Sequence, residues 1–97
     1  MARLKLIVLD VLKPHQPNIL ELANALAQSL GDCQVQIHVE EVDEKTESVT
    51  LRVRGPDVSL DVISATVTEY GGSVHSIDEV DVVGEQHQPE ASEVDGE

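Results

Sequence analysis

Leu4 to Leu12 is nearly continuous aliphatic sequence, which fits a central strand buried on both sides. Pro14 and Pro17 end it. Ile19, Leu22, Ala23, Leu26 and Leu30 then recur at helical spacing. Pro17 or Asn18 suits the start of that helix, Glu21 three residues after Asn18 resembles a capping box, and Gly31 suits its stop. Val35, Ile37 and Val39 alternate with Gln36, His38 and Glu40, the pattern of a strand with one dry and one wet face. Asp43 to Thr46 reads as a turn, and Val49, Leu51 and Val53 alternate with Thr50, Arg52 and Arg54 as the second arm of a hairpin. Leu60, Ile63 and Val67 predict a second helix, with Asp57 or Ser59 as cap and Gly71-Gly72 as stop. Its β-branched residues Val62, Ile63, Thr66, Val67 and Thr68 oppose a helix, but the caps and spacing outweigh them. Ser73–Val83 is a final strand.

The order is β-α-β-β-α-β. Right-handed crossovers then predict an α+β, ferredoxin-like sandwich: a four-stranded antiparallel sheet with two helices on one face. In the first strand Leu4, Leu6, Val8 and Leu12 form one apolar side and Ile7, Leu9 and Val11 the other. Only one side can face the helices, so the other calls for a cover, most simply a second subunit, and a homo-oligomer is expected. Residues 85–97 carry five carboxylates, no Lys or Arg, and one sizeable apolar residue, Val94. They are expected to be a disordered acidic tail on a folded domain of residues 1–84.

Six basic against nineteen acidic residues give a net charge of −13; removing the five carboxylates of the tail leaves −8 on residues 1–84. Such a chain lacks the cationic surface that phosphate backbones or anionic lipids demand, so neither nucleic acid nor membrane is an expected partner. Tyr70 is the only aromatic residue, which also removes a base-stacking platform. The charge points to a salt-rich, halophilic cytoplasm, where screening shortens repulsion. Cys33 is the single cysteine and is expected to pack as a small apolar residue. No apolar run approaches membrane-spanning length, and Asp10 interrupts the only stretch that imitates a signal peptide. A cytoplasmic location is therefore expected.

Two separated segments carry a family resemblance. One is Leu9-Asp10-Val11-Leu12-Lys13-Pro14-His15 within the first strand and proline turn. The other is Gly71-Gly72-Ser73-Val74-His75-Ser76-Ile77-Asp78-Glu79-Val80, with Glu41-Val42-Asp43 between them. Over about residues 3–84 the chain resembles the archaeal family known as domain of unknown function 211. The resemblance implies a ferredoxin-like domain that forms homo-oligomers, including rings; it implies no activity.

Chemistry-bearing residues gather in three places. Asp10, His15, His75 and Asp78 belong to the first and last strands and the proline turn, which the fold makes neighbours. Imidazole with carboxylate can hold Zn²⁺ or another divalent ion, or bind a small ligand, and Asp10, His75 and Asp78 are the first-choice metal ligands. The competing reading has Asp10 capping the turn and both histidines satisfied by backbone groups. Glu40, Glu41, Asp43, Glu44 and Glu47 cluster about the hairpin turn. Glu41 and Asp43 are the second-choice ligands, for an oxygen-loving cation, against the alternative of a solvated acidic surface. Arg52 and Arg54 beside His38 and Glu40 could bind an anion, or pair across strands with Glu40. No phosphate loop or nucleophile elbow is present, and although imidazole with carboxylate can also serve as acid and base, no catalytic residue is assigned. The expected function is that of a non-enzymatic, self-associating module that binds a small ligand or divalent ion of unassigned identity. Its rivals are a purely structural adaptor and an enzyme with a His–Asp site between subunits.

Overall fold

The computed structural model describes residues 2–85. Its elements are β1 (Arg3–Pro14), α1 (Ile19–Leu30), β2 (Gln34–Val42), β3 (Thr46–Arg54), α2 (Leu60–Glu69) and β4 (Ser73–Val83). They form one antiparallel four-stranded sheet in the order β2-β3-β1-β4, the ferredoxin-like arrangement. The acidic segment expected to be a tail lies, apart from Glu85, outside the described residues.

Local chemistry sets the helix ends. The Asn18 side chain accepts from the Glu21 backbone N–H at 2.9 Å while the Glu21 carboxylate accepts from the Asn18 N–H at 2.9 Å, so two orphan donors are satisfied reciprocally. Ser59 caps α2 by accepting from Val62 N–H at 3.2 Å. Gly71 follows α2 at φ 83°, a conformation that excludes most side chains.

The core is aliphatic. Ile7, Leu9 and Val11 of β1 and Val49, Leu51 and Val53 of β3 meet Leu22 and Leu26 of α1 and Ile63 and Val67 of α2. Both helices therefore cover the same face of the sheet. With no Phe or Trp, the core depends on the number of such residues, each worth about 1.5–3 kcal/mol when fully buried.

The opposite face carries the alternate residues. Direct cross-strand partners share a side, so one row runs Gln36, Arg52, Val8, Glu79 and the next Gln34, Arg54, Leu6, Asp81. Leu6 and Val8 are only 4% and 7% exposed within the single chain. This alters the sequence-based argument for a second subunit: these residues do not await a cover. Leu4 does not stay with them either, because it packs against the helix-side core. Its strand pairing explains why. Leu4 opposes Val82 and Leu6 opposes Asp81, so Lys5 is an extra residue that breaks the alternation.

Candidate functional site

Asp10 sits in the middle of β1, opposite Thr50 of β3 and Ser76 of β4. The ladder to β4 is irregular at two further points. Val8 opposes Glu79 and Leu9 opposes Ile77, leaving Asp78 as an extra residue; Asp10 opposes Ser76 and Val11 opposes Val74, leaving His75 as another. Two of the four site residues chosen from the sequence are thus bulge residues, flanking the partner of a third. The Ser76 hydroxyl donates to the Asp78 carboxylate at 2.8 Å.

His15 goes elsewhere. The turn after β1 carries it to the β2–β3 hairpin, on the β3 side of β1, whereas His75 and Asp78 lie on β4. Among the described residues, no three His, Cys, Asp or Glu side chains stand where they could hold a metal ion together. Glu41 opposes Ser48 after a bulge at Glu40, and Asp43 uses its backbone, its N–H donating to Thr46 O at 2.8 Å and its carbonyl accepting from His15.

What does converge is a cluster of Lys13, His15 and Glu47. Lys13 is the direct partner of Glu47 in the β1–β3 ladder, and its Nζ donates to Glu47 Oε2 at 2.9 Å and to Pro14 O at 2.7 Å. Its side chain is 1% exposed and that of Glu47 12%. The other Glu47 oxygen, Oε1, lies 3.3 Å from His15 Nδ1. His15 Nε2 faces two backbone carbonyls, Asp43 O at 2.9 Å and Glu44 O at 3.1 Å. Carbonyls only accept, so Nε2 carries a proton. Nδ1 against a carboxylate also carries one, and the imidazolium is the form that satisfies both edges. The hydrogen bond to Glu47 raises the His15 pKa above its ordinary value, helped by the Glu44 carbonyl, while Lys13 foremost, then His15, holds the Glu47 carboxyl below its usual range. Chemically this is a clasp: two cations share one carboxylate, and the hairpin turn is tied to the end of β1. The sequence reading placed His15 and Glu47 in separate groups and left out Lys13 as a site residue. A signal existed, since Lys13 shares the parity of Ile7, Leu9 and Val11 and a charge on a core-facing side requires a partner.

On the sheet face away from the helices, β3 presents Arg52 and Arg54, and β4 presents Glu79 and Asp81. Arg52 does not pair with Glu40 as one sequence reading had it. Its guanidinium reaches Glu79 at 4.0 Å, from opposite sides of Val8, while Glu40 accepts from the Thr50 hydroxyl at 2.8 Å and lies 4.0 Å from His38. A shallow hollow beside them is lined by Gln36, Ile37, His38, Thr50 and Arg52. Three of the six exposed large apolar side chains among the described residues share the edge strand β4, where Ile77, Val80 and Val82 are 53%, 53% and 52% exposed; the others, Leu12, Leu20 and Val42, are on separate elements. Cys33 is half-buried against the core, and burial, then Asp32 and Asp57, pushes its thiol pKa up, away from reactivity. No helix among the described residues is long and apolar enough to cross a membrane.

Comparison with known proteins adds kinship without chemistry. The family model DUF211, described as uncharacterised ArCR, matches residues 5–94. The match runs past Gly84 into the acidic segment, beyond the residues on which the resemblance rested. A protein of Methanocaldococcus jannaschii, "Uncharacterized protein MJ0319", is 40% identical over 80 residues, covering 82% of each chain.

Proposed function

We propose that this chain, which belongs to the DUF211 family of uncharacterised ArCR proteins, is a non-enzymatic module that works by self-association through its last strand. The observation that carries the reading is the trio Ile77, Val80 and Val82, each more than half exposed on a strand at the edge of the sheet. Ile77 and Val80 oppose Leu9 and Ile7, so they lie on the helix side of the sheet, where the shelter given to β1 runs out. Aliphatic side chains on an unpaired strand edge favour the addition of another chain. The non-enzymatic part rests on the clasp, where the ionisable groups that meet are spent on one another.

Light scattering at tens of micromolar protein tests the reading. The wild type should scatter as a multiple of 10.5 kDa, and the Ile77→Lys/Val80→Lys variant should assemble more weakly while melting at nearly the same temperature. A wild type that scatters as a monomer overturns it.

A further inference from the structure

The hollow between β2 and β3 measures about 240 Å³. Register explains its lining. Gln36 opposes Arg52 and His38 opposes Thr50, so these four stand on the side of the sheet away from the helices, while Ile37 opposes Leu51 and belongs to the core side. The two ends of the hollow differ in charge. At one end is the Arg52 guanidinium, with Arg54 one same-face step further along β3. At the other is Glu40, the extra residue of the β2 bulge, held there by the Thr50 hydroxyl at 2.8 Å and lying 4.0 Å from His38. Both contacts use Oε2; Oε1 has no partner among the described residues. Arg52 is equally open to a ligand. Its ion pair with Glu79 spans 4.0 Å between two side chains that reach water, and a contact of that kind holds little energy.

We propose that this hollow binds a small zwitterion of the amino-acid class, its carboxylate on Arg52 and its ammonium on Glu40. The field of the chain favours a zwitterion over an anion. Nineteen acids against six bases give a net charge of −13, and Asp10 stands beside Thr50 in the same row of the sheet. A free anion climbs that field to reach Arg52, whereas a zwitterion carries no net charge. A free cation reaches Glu40 but leaves Arg52 unmatched. The spacing fits a short ligand. Thr50, which fixes Glu40, and Arg52 are two residues apart on one face, roughly 6.7 Å, a span that a small molecule hydrogen-bonded at each end can bridge. Guanidinium and carboxylate pair through two parallel hydrogen bonds, which sets the ligand's orientation. The Gln36 amide, across from Arg52, adds a donor at that end. Size and lining limit the rest of the molecule. At about 240 Å³ the hollow falls below the roughly 300–1,000 Å³ of sites for drug-sized ligands. No aromatic ring lines it, so a small or polar side chain suits it better than an aromatic one. The hollow lies on β2 and β3, away from Ile77 and Val80 of β4, and its ligand does not depend on assembly through that strand.

Isothermal titration calorimetry of the full chain tests this, with glycine, serine, asparagine and glutamine as probes and acetate and ethylamine as half-ligands. At least one of the four amino acids should bind saturably at one site per chain. Acetate and ethylamine should each bind more weakly by about tenfold or more, because each leaves one end of the hollow unmatched. For the amino acid that binds best, Arg52→Gln and Glu40→Gln should each lower affinity by about tenfold or more. Lys45→Gln removes a charge from the exposed hairpin turn outside the hollow and should leave affinity unchanged. Circular dichroism checks that each variant is folded, and the two half-ligands test the wild type without any substitution. The proposal is overturned by the absence of saturable binding for all four amino acids. It is also overturned by a half-ligand that binds as tightly as the best of them, by a folded Arg52→Gln or Glu40→Gln protein with wild-type affinity, or by a Lys45→Gln protein that loses as much as Arg52→Gln.

Discussion

Removing the Glu47 carboxylate should be among the most damaging single changes in the molecule. Lys13 is a full positive charge with 1% of its side chain exposed, and Glu47 is the acid that neutralises it at 2.9 Å. Glu47→Ala leaves that ammonium desolvated with only Pro14 O, at 2.7 Å, as a described partner, and strips His15 Nδ1 of its acceptor. Breaking a buried pair on one side costs about 3–5 kcal/mol. The remaining carbonyl contact and the 12% exposure of Glu47 place this one near the lower end, at about 3 kcal/mol. For a domain of this size that corresponds to a fall in melting temperature of roughly 12–24 °C. Glu47→Gln keeps an oxygen acceptor and should cost less, about 1.5–3 kcal/mol. Lys13→Met/Glu47→Leu removes both charges and should lie within about 1 kcal/mol of the parent, because apolar side chains of similar volume repack where a buried pair stood. Urea titration followed by far-ultraviolet circular dichroism at pH 7 measures all three, at one protein concentration so that assembly does not distort the comparison. A Glu47→Ala protein within about 1 kcal/mol of the parent would show that Lys13 reaches water and that the clasp is ornamental.

Two further outcomes follow from the same structure. The His15 pKa is raised on folding, so its stabilising contribution is complete below its ordinary value of about 6.5 and is lost as pH rises through the higher folded value. Melting temperature should therefore decline over that rise, and His15→Ala should flatten the decline; an equal slope in both proteins would refute the imidazolium assignment. Glu47 acts at the acid end with the opposite sign: its folded pKa is depressed, and its contribution is lost as pH falls below about 4.5 through that lower value. Gly55→Ala should destabilise the chain, by about 1–3 kcal/mol as overpacking does, because a Cβ there would stand 2.7 Å from Cys33 Sγ and 2.8 Å from Asp32 O, the latter backbone that cannot rotate away; a melting temperature equal to wild type would show that the loop gives freely.

The element order was legible because each element announces itself locally. Asn18 with Glu21 marks one helix start, and the caps of α2 outweigh its β-branched residues, as the structure bears out. Ser73–Val83 is found with the bounds the pattern predicts. The site was less legible, for a physical reason. Strand parity can be read from alternation only while pairing is regular, and extra residues at Lys5, Glu40, His75 and Asp78 shift it. Lys13 and Glu47 are 34 residues apart, and only the register of β1 against β3 brings them together. His15 was grouped with the β4 residues, but the choice between β4 and the hairpin depends on which side of β1 the proline turn falls.

The position of β1 also bears on how the chain comes to be made. Its neighbours in the sheet are β3 and β4, the fourth and last elements to leave the ribosome. Until Ser73–Val83 has been synthesised, one edge of the most aliphatic strand in the protein has no native partner. Closing it joins residues about 60 to 80 positions apart, a non-local step that makes folding slow relative to a helical chain of equal length. During synthesis, then, the hazard is not the surface of the finished protein but Leu4 to Leu12 waiting for its final neighbour. A stall in translation before β4 would present that open edge to other nascent chains.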